Sequence, residues 1–354
     1  MKKNFQFFTS VFVSVALALS VISCEPNSEP EPQKVVLGDL GQDLLIYGNK
    51  LYISMSNSSY VGVLDIENHA KGVFILNQGG NKQNNASLMF YDVAKDEISN
   101  VSVQNMKMIR LFNGETPRTP RYLAAHEGKI YVSCWDGTVA RIDAAGLTLE
   151  ESSTSVGKHP EGLAVANGKL YIANASYMAE TDSSLSVINL SDFYAKNSTK
   201  MTVGENPNIV KADGRSSVYV SYQGNFQLIP GGFKRVNTTT NQVTGLADAP
   251  TTDFALFGDY VYFYNITYDA SYNPTLSFGR YNVSQSTIGV LEPIISDNVT
   301  IQSPYGIAVD SDGKLYIADA VDYSNPGKIY IFDAAGKKIV EHTVGVNPCK
   351  FAFY

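Results

Sequence analysis

"HPEGLAVANGKLYIANA" (residues 159–175) and "SPYGIAVDSDGKLYIADA" (residues 303–320) are nearly the same stretch written twice in one chain. Each has an apolar run after a proline, a polar turn and a second apolar run rich in β-branched and aromatic residues, which predicts a strand, a tight turn and a strand. Weaker copies follow the same plan: TPRYLAAHEGKIYVSCWDGTVARID at 119–143, NPNIVKADGRSSVYVSYQG at 206–224, APTTDFALFGDYVYFYN at 249–265 and the terminal NPCKFAFY at 347–354. Pro120, Pro160, Pro207, Pro250, Pro304 and Pro348 open the copies at intervals of roughly 40 to 54 residues. Units of that length with several short strands each predict an all-β fold, a β-propeller of four-stranded blades.

The aromatic-rich second strands number the blades. NKLYISM, GVFILNQ, GKIYVSC, GKLYIAN, SVYVSY, YVYFYN and GKLYIAD make seven. Within KLYIAN, Leu170 and Ile172 point to one side and Tyr171 and Ala173 to the other. Both sides are apolar, as a blade packed between two neighbours requires. The chain ends on an inner strand with nothing after it. GVFILNQ…SLMFYD (72–92) lacks an inner strand of its own, so residues 350–354 are expected to complete that blade and remove its open edge. Such closure is simplest when the incomplete blade comes first. Here GDLGQDLLIYGNKLYISM (38–55), with its own inner strand at 43–47, precedes it. Either the chain threads unusually, or closure differs, or the order of these segments is itself odd, and the organisation before about Thr119 stays open at this level.

The first residues read as a targeting segment. Lys2 and Lys3 precede a mostly apolar run, and VISC (21–24) ends it with a small residue before a cysteine. Residues 1–23 are therefore expected to be a lipoprotein signal peptide with Cys24 as the lipidation site. EPNSEPEPQ follows, acidic and proline-rich, so 24–34 is expected to be an extended tether and 35–354 the propeller. The acidic tether resembles a surface-export signal of some Gram-negative anaerobes, and points to an outer-membrane protein on the cell surface. Cys134 and Cys349 sit in strand patterns without metal-ligand spacing and read as buried free thiols. A net charge of −7 argues against nucleic acid, which demands a basic face.

Strand reversal places the proline-led loops and the loops between second and third strands on one face. There the loops are long and rich in Tyr, Asn and Gln, with the single Trp135; the opposite turns (NGK, DGK, AAG) are short. Long loops on a rigid scaffold carry binding residues, and Tyr, Trp and amides suit an amphipathic, hydrogen-bonding ligand. The candidate contacts are Gln78, Asn84, Arg121, Tyr122, Trp135, Glu161, Asn174, Asn208, Tyr222, Asn225, Tyr264, Tyr268, Tyr305 and Asp319. Catalytic motifs are lacking. The four histidines are scattered, and His159 with Glu161 falls short of the three or four ligands of a metal site. The expectation is a binding protein, not an enzyme, with no metal and no cofactor.

The HPEG-led repeat and VANGKLYIANA…LSVINLSDF resemble YncE-like seven-bladed propellers. More narrowly, GVFILNQGGNKQNNASLMFYD, GDLGQDLLIYGNKLYI, the 119–143 stretch and NITYDASYNPTLSFGRYNV resemble surface lipoproteins of the vitamin B12-capture (BtuG) type, over almost the whole mature chain. That resemblance implies a corrinoid ligand handed to a TonB-dependent outer-membrane transporter, with membrane attachment through the N-terminal lipid. In that group the GVFILNQ-type stretch precedes the GDLGQDLL-type stretch; here the order is reversed. The alternative is a surface recognition or adhesion propeller that binds glycan or a protein partner.

Overall fold

The computed structural model describes residues 41–354 except 57–58, 80–84, 112–118, 154, 177–181, 194–197, 226–228, 248–250, 269–273, 284–292 and 297. The signal peptide, the tether, Cys24 and Asn84 lie outside the described residues.

Seven antiparallel sheets form the blades of a propeller. Blade 1 runs outward through Gly41–Tyr47, Lys50–Met55, Tyr60–Asp65 and Lys107–Arg110. Blade 2 is Pro120–His126, Lys129–Cys134, Thr138–Asp143 and Thr148–Ser152; blade 3 is Pro160–Ala166, Lys169–Asn174, Ser184–Asn189 and Thr199–Thr202. Blade 4 is Pro207–Ala212, Ser217–Tyr222, Gly232–Asn237 and Val243–Ala247. Blade 5 has three strands among the described residues, Asp253–Phe257, Tyr260–Tyr268 and Pro274–Asn282. Blade 6 is Pro304–Val309, Leu315–Asp319, Pro326–Phe332 and Lys338–Val346. Blade 7 combines the last strand with an early segment: Pro348–Phe353 inside, then Gly72–Asn77, Ser87–Asp92 and Glu97–Asn100. Neighbouring inner strands contact one another around the whole ring, and blade 7 sits between blades 6 and 1.

The unusual segment order has a simple resolution. After its third strand, blade 1 is interrupted; the chain crosses to blade 7, lays down three strands, and returns to add Lys107–Arg110 beside Tyr60–Asp65. The last strand then pairs with Gly72–Asn77 in the register Phe351↔Ile75 and Phe353↔Val73, which closes the ring. The strand is Pro348–Phe353, two residues longer at its start than the 350–354 expected from sequence.

The core is divided among the seams. Each of the seven boundaries between blades carries its own apolar cluster. Leu170 and Ile172 enter the seam with blade 2, and Tyr171 and Ala173 the seam with blade 4. Leu51 and Ile53 likewise face blade 7 while Tyr52 faces blade 2. Period-two alternation thus allots one residue set to each neighbour, and all these side chains are buried.

The proline-led openings share a backbone device. Thr119, His159, Asn206 and Asn347, each just before a proline, have φ of 49°, 36°, 54° and 54°. In five blades the strand then begins with a bulge: between Pro120 and Leu123, Pro160 and Leu163, Pro207 and Ile209, Pro304 and Gly306, and Pro348 and Lys350. Proline suits this first position because it has no N–H to pair. The left-handed conformation favours Asn, whose amide does further work here. Asn206 accepts from Ser176 N–H (2.9 Å) and donates to the Gly224 carbonyl (2.8 Å), and Asn347 donates to the Gly79 carbonyl (2.9 Å). Each staples an inner strand to a neighbouring long loop. The opposite turns are tight two-residue connections: Glu127–Gly128 and Asn167–Gly168 have positive φ at both positions, the type I′ geometry that matches strand twist.

Candidate functional site

The bulge after each proline turns the next side chain toward the propeller axis on the long-loop face. Gln42, Arg121, Glu161, Asn208, Tyr305 and Cys349, which occupy this one position in six inner strands, line a cavity of about 280 Å³ at the mouth of the central channel. Tyr122, Gln78, Gln223, Thr252, Asp253, Tyr264, Ile266, Tyr323 and Lys350 complete its wall.

Half of the mouth is a continuous polar arc. The Arg121 guanidinium donates through Nε to Glu161 Oε2 (2.9 Å) and through Nη2 to Oε1 (3.2 Å). It lies 4.5 Å from the centroid of Trp135, whose indole N–H also donates to Glu161 Oε1 (2.9 Å). Arg121 Nη1 donates to Gln42 Oε1 (3.0 Å), which accepts from Gln78 Nε2 at 3.5 Å. The Tyr305 hydroxyl donates to Gln78 Oε1 (2.7 Å), and its ring meets Tyr323 edge-on at 5.7 Å. Blades 3, 2, 1, 7 and 6 are thereby joined across residues far apart in sequence. Glu161 is 1% exposed, so the bidentate ion pair and indole bond meet the need of a buried carboxylate for partners. Across the mouth, Ser221 Oγ donates to Asn208 Oδ1 (2.8 Å).

The tyrosines stay neutral donors. Burial, then the Asp253 charge, raises the Tyr264 phenol well above its ordinary range. Burial, with a smaller contribution from Glu161, pushes Tyr122 up to about 12, and burial likewise pushes Tyr305 up to about 12. The Cys349 thiol is driven up to about 12 by burial, so it stays protonated at neutral pH. Cys134 and Cys349 are both buried thiols outside any disulfide.

The structure brings Gln78, Arg121, Tyr122, Glu161, Asn208, Tyr264 and Tyr305 to the mouth wall, with Trp135 against the Arg121–Glu161 pair. It places the other candidates differently. Asn174 is fully buried and donates to Ser184 Oγ (3.0 Å) and Ser186 Oγ (2.8 Å), tying two strands of its own blade. Asp319, 1% exposed, accepts from the N–H groups of Gln302, Ser303 and Val321 at 2.8–3.0 Å and anchors the loop before Pro304. Tyr222 packs under Gly204 with the Lys234 ammonium 5.3 Å from its ring. Asn225 closes its own loop by accepting from Ile229 N–H (2.8 Å). Tyr268 ends the second strand of blade 5 opposite Pro274, and its side chain is not among those described.

Sequence reasoning missed Gln42, Gln223, Asp253, Tyr323 and Lys350. Gln42 holds the repeat position of Arg121 and Glu161, but glycine stands where the proline marker would be. Gln223 follows the end of a second strand, as Gln78 and Trp135 do, and that shared position was the available signal. Asp253 and Lys350 lie deeper along inner strands, where charge is not expected.

No family model matches the chain, and no curated protein matches it. Among solved structures, it is similar to the computationally designed Ika8 protein (12% identity, 87% of this chain and 88% of that chain, TM-score 0.49). It is also similar to a chain of the nidogen/laminin complex (13%, 79% and 98%, 0.49) and to BamB from Moraxella catarrhalis (13%, 88% and 74%, 0.45). At these values the seven sheets themselves carry the fold assignment.

Proposed function

We propose that the long-loop mouth is a binding platform for a broad, amphipathic, amide-bearing small molecule, and that the ligand class is a corrinoid. The observation behind a binding platform is the arc Trp135–Glu161–Arg121–Gln42–Gln78–Tyr305–Tyr323, in which aromatic faces at either end flank carboxylate, guanidinium and amide groups already oriented by one another. Such preorganisation lowers the ordering cost of binding. The corrinoid itself rests on the sequence resemblance. A cavity of about 280 Å³ holds only a projecting part of so large a ligand, so the macrocycle lies across the rim, where Trp135 (37% exposed) and Tyr323 (46%) stand out. In this reading the chain is a surface lipoprotein, anchored at Cys24, that hands its ligand to a TonB-dependent transporter.

The test is calorimetric titration of the domain from Lys34 onward with cyanocobalamin. Trp135→Ala should weaken binding by about 2 kcal/mol, roughly thirty-fold, as removal of an aromatic hot spot does. Lys314→Ala, beside the turn at Gly313 on the opposite face, should leave it unchanged. A folded domain that gives no heat with cyanocobalamin sinks the corrinoid and promotes a glycan or protein partner.

A further inference from the structure

The channel continues below the mouth. A second cavity of about 370 Å³ extends toward the short-turn face, with Leu44, Val165, Ala212, Ala308 and Phe351 among its walls and Asp43, Lys211 and Lys350 at its inner end. The two cavities share Tyr122, Ile209, Cys349 and Lys350; Asp253 lines the upper one and Asp43 and Lys211 the lower, so four charged groups flank the waist between them.

That charge is unevenly partnered. Asp253 serves two ammonium groups: Lys350 Nζ lies 3.5 Å from Oδ2, and Lys211 Nζ lies 3.8 Å from Oδ1. Lys211 also donates to the Phe254 carbonyl. Asp43, in contrast, accepts from backbone N–H groups, those of Leu123 (2.9 Å) and Leu44, and has no cation at ion-pair distance among the described residues. One side of the waist therefore has two cations on one carboxylate. The other has a carboxylate that feels Lys350 and Lys211 only from beyond ion-pair distance. Buried charges are costly unless paired. In keeping with this, burial outweighs the more distant Lys350 charge and raises Asp43 to about 6, and burial lowers Lys211 despite Asp253.

We propose that the lower cavity binds an apolar α-amino acid, its carboxylate against Lys211 and Lys350, its ammonium against Asp43 and its side chain along the apolar wall. A zwitterion supplies the missing charge on each side and leaves the net charge of the waist unchanged. A monocarboxylate alone would leave Asp43 without a cation at ion-pair distance, and an amine alone would leave the two lysines sharing one carboxylate. The site does not depend on what binds the upper mouth.

The experiment is calorimetric titration of the full-length chain with L-leucine, isocaproate (leucine without its ammonium) and isoamylamine (leucine without its carboxylate). Leucine should bind at least about tenfold tighter than either truncated probe, a difference of about 1.4 kcal/mol. Lys211→Met should weaken leucine by at least about tenfold and leave isoamylamine unchanged. Asp43→Asn keeps the side-chain shape and the acceptor for Leu123 N–H, so it serves even where Lys211→Met fails to fold; it should bring leucine down to the affinity of isocaproate. No heat with leucine, equal affinity for leucine and isocaproate, or either folded variant binding leucine like the parent overturns the proposal. Trp135→Ala, which disturbs only the upper mouth, should bind leucine normally.

Discussion

Ending the chain at Asn347 removes the inner strand of blade 7 and is the sharpest perturbation of this fold. Cys349 and Ala352 are 5% and 7% exposed. Phe351 and Phe353 are half-buried against Tyr316 of blade 6, at centroid distances of 5.8 and 5.1 Å. Removing a fully buried Phe costs about 3–5 kcal/mol, so Phe351→Ala or Phe353→Ala, both only partly buried, should cost about 2–3 kcal/mol each. The truncation does more. It strips the backbone ladder from Gly72–Asn77 and uncovers Phe74, Ile75 and Leu76, none of which has measurable exposure. It also opens the two seams that flank blade 7. With a whole domain stable by only about 5–15 kcal/mol, the truncated chain should lose its cooperative transition. Urea titration followed by far-UV circular dichroism and by the fluorescence of Trp135 reads this out. Trp135 lies across the ring by blades 2 and 3, so coincident transitions in the parent report one cooperative unit. The point variants should lower the midpoint with an unchanged slope, and a peptide of residues 348–354 added to the truncated chain should restore the transition. A truncated chain with the parent's midpoint and slope would refute the closure of the ring by this strand.

Three further outcomes follow from single positions. Asn206→Ala removes two buried hydrogen bonds and leaves a left-handed residue without its Asn; it should cost about 2–3 kcal/mol in urea unfolding, and a loss below 0.5 kcal/mol (a bound taken from ordinary surface changes) would show that the staple is idle. Gly306→Ala places a methyl 2.2 Å from the Cys349 carbonyl oxygen, a backbone atom that cannot step aside, so the melting temperature should fall clearly, whereas Gly245→Ala, with open space around it, should leave it unchanged. For Asp43, the folded pKa of about 6 lies above the ordinary 3.8, so the folded state holds this proton more tightly and the carboxylate costs stability as pH rises through that window. The stability of Asp43→Asn relative to the parent should therefore grow by up to about 3 kcal/mol between pH 4 and pH 7; parallel stability curves for the two proteins would refute the upward push that burial gives Asp43.

What the chain states locally, it states plainly. A hairpin needs only its own alternation and turn, so the seven second strands, the NGK-type turns and the opposite facings of Leu170 and Tyr171 were legible without tertiary information. The proline spacing and the open terminal strand likewise imply a closed ring, because an unpaired edge must find a partner. The path of the chain through blades 1 and 7 was not legible, since no short-range signal tells Tyr60–Asp65 to wait more than 40 residues for Lys107–Arg110; that pairing is decided by which neighbour completes each seam core. The mouth divides in the same way. Arg121, Glu161 and Tyr305 stood out because they follow a marked proline, while Asn174 and Asp319 looked alike in sequence and turned inward to satisfy their own loops. Gln42 and the waist residues Asp43, Lys211, Asp253 and Lys350 come from inner strands that each contribute only one or two side chains to the axis. Their charges acquire meaning only when the ring brings them within a few ångströms in a channel where water no longer screens them, and that distance is a property of the closed tertiary structure alone.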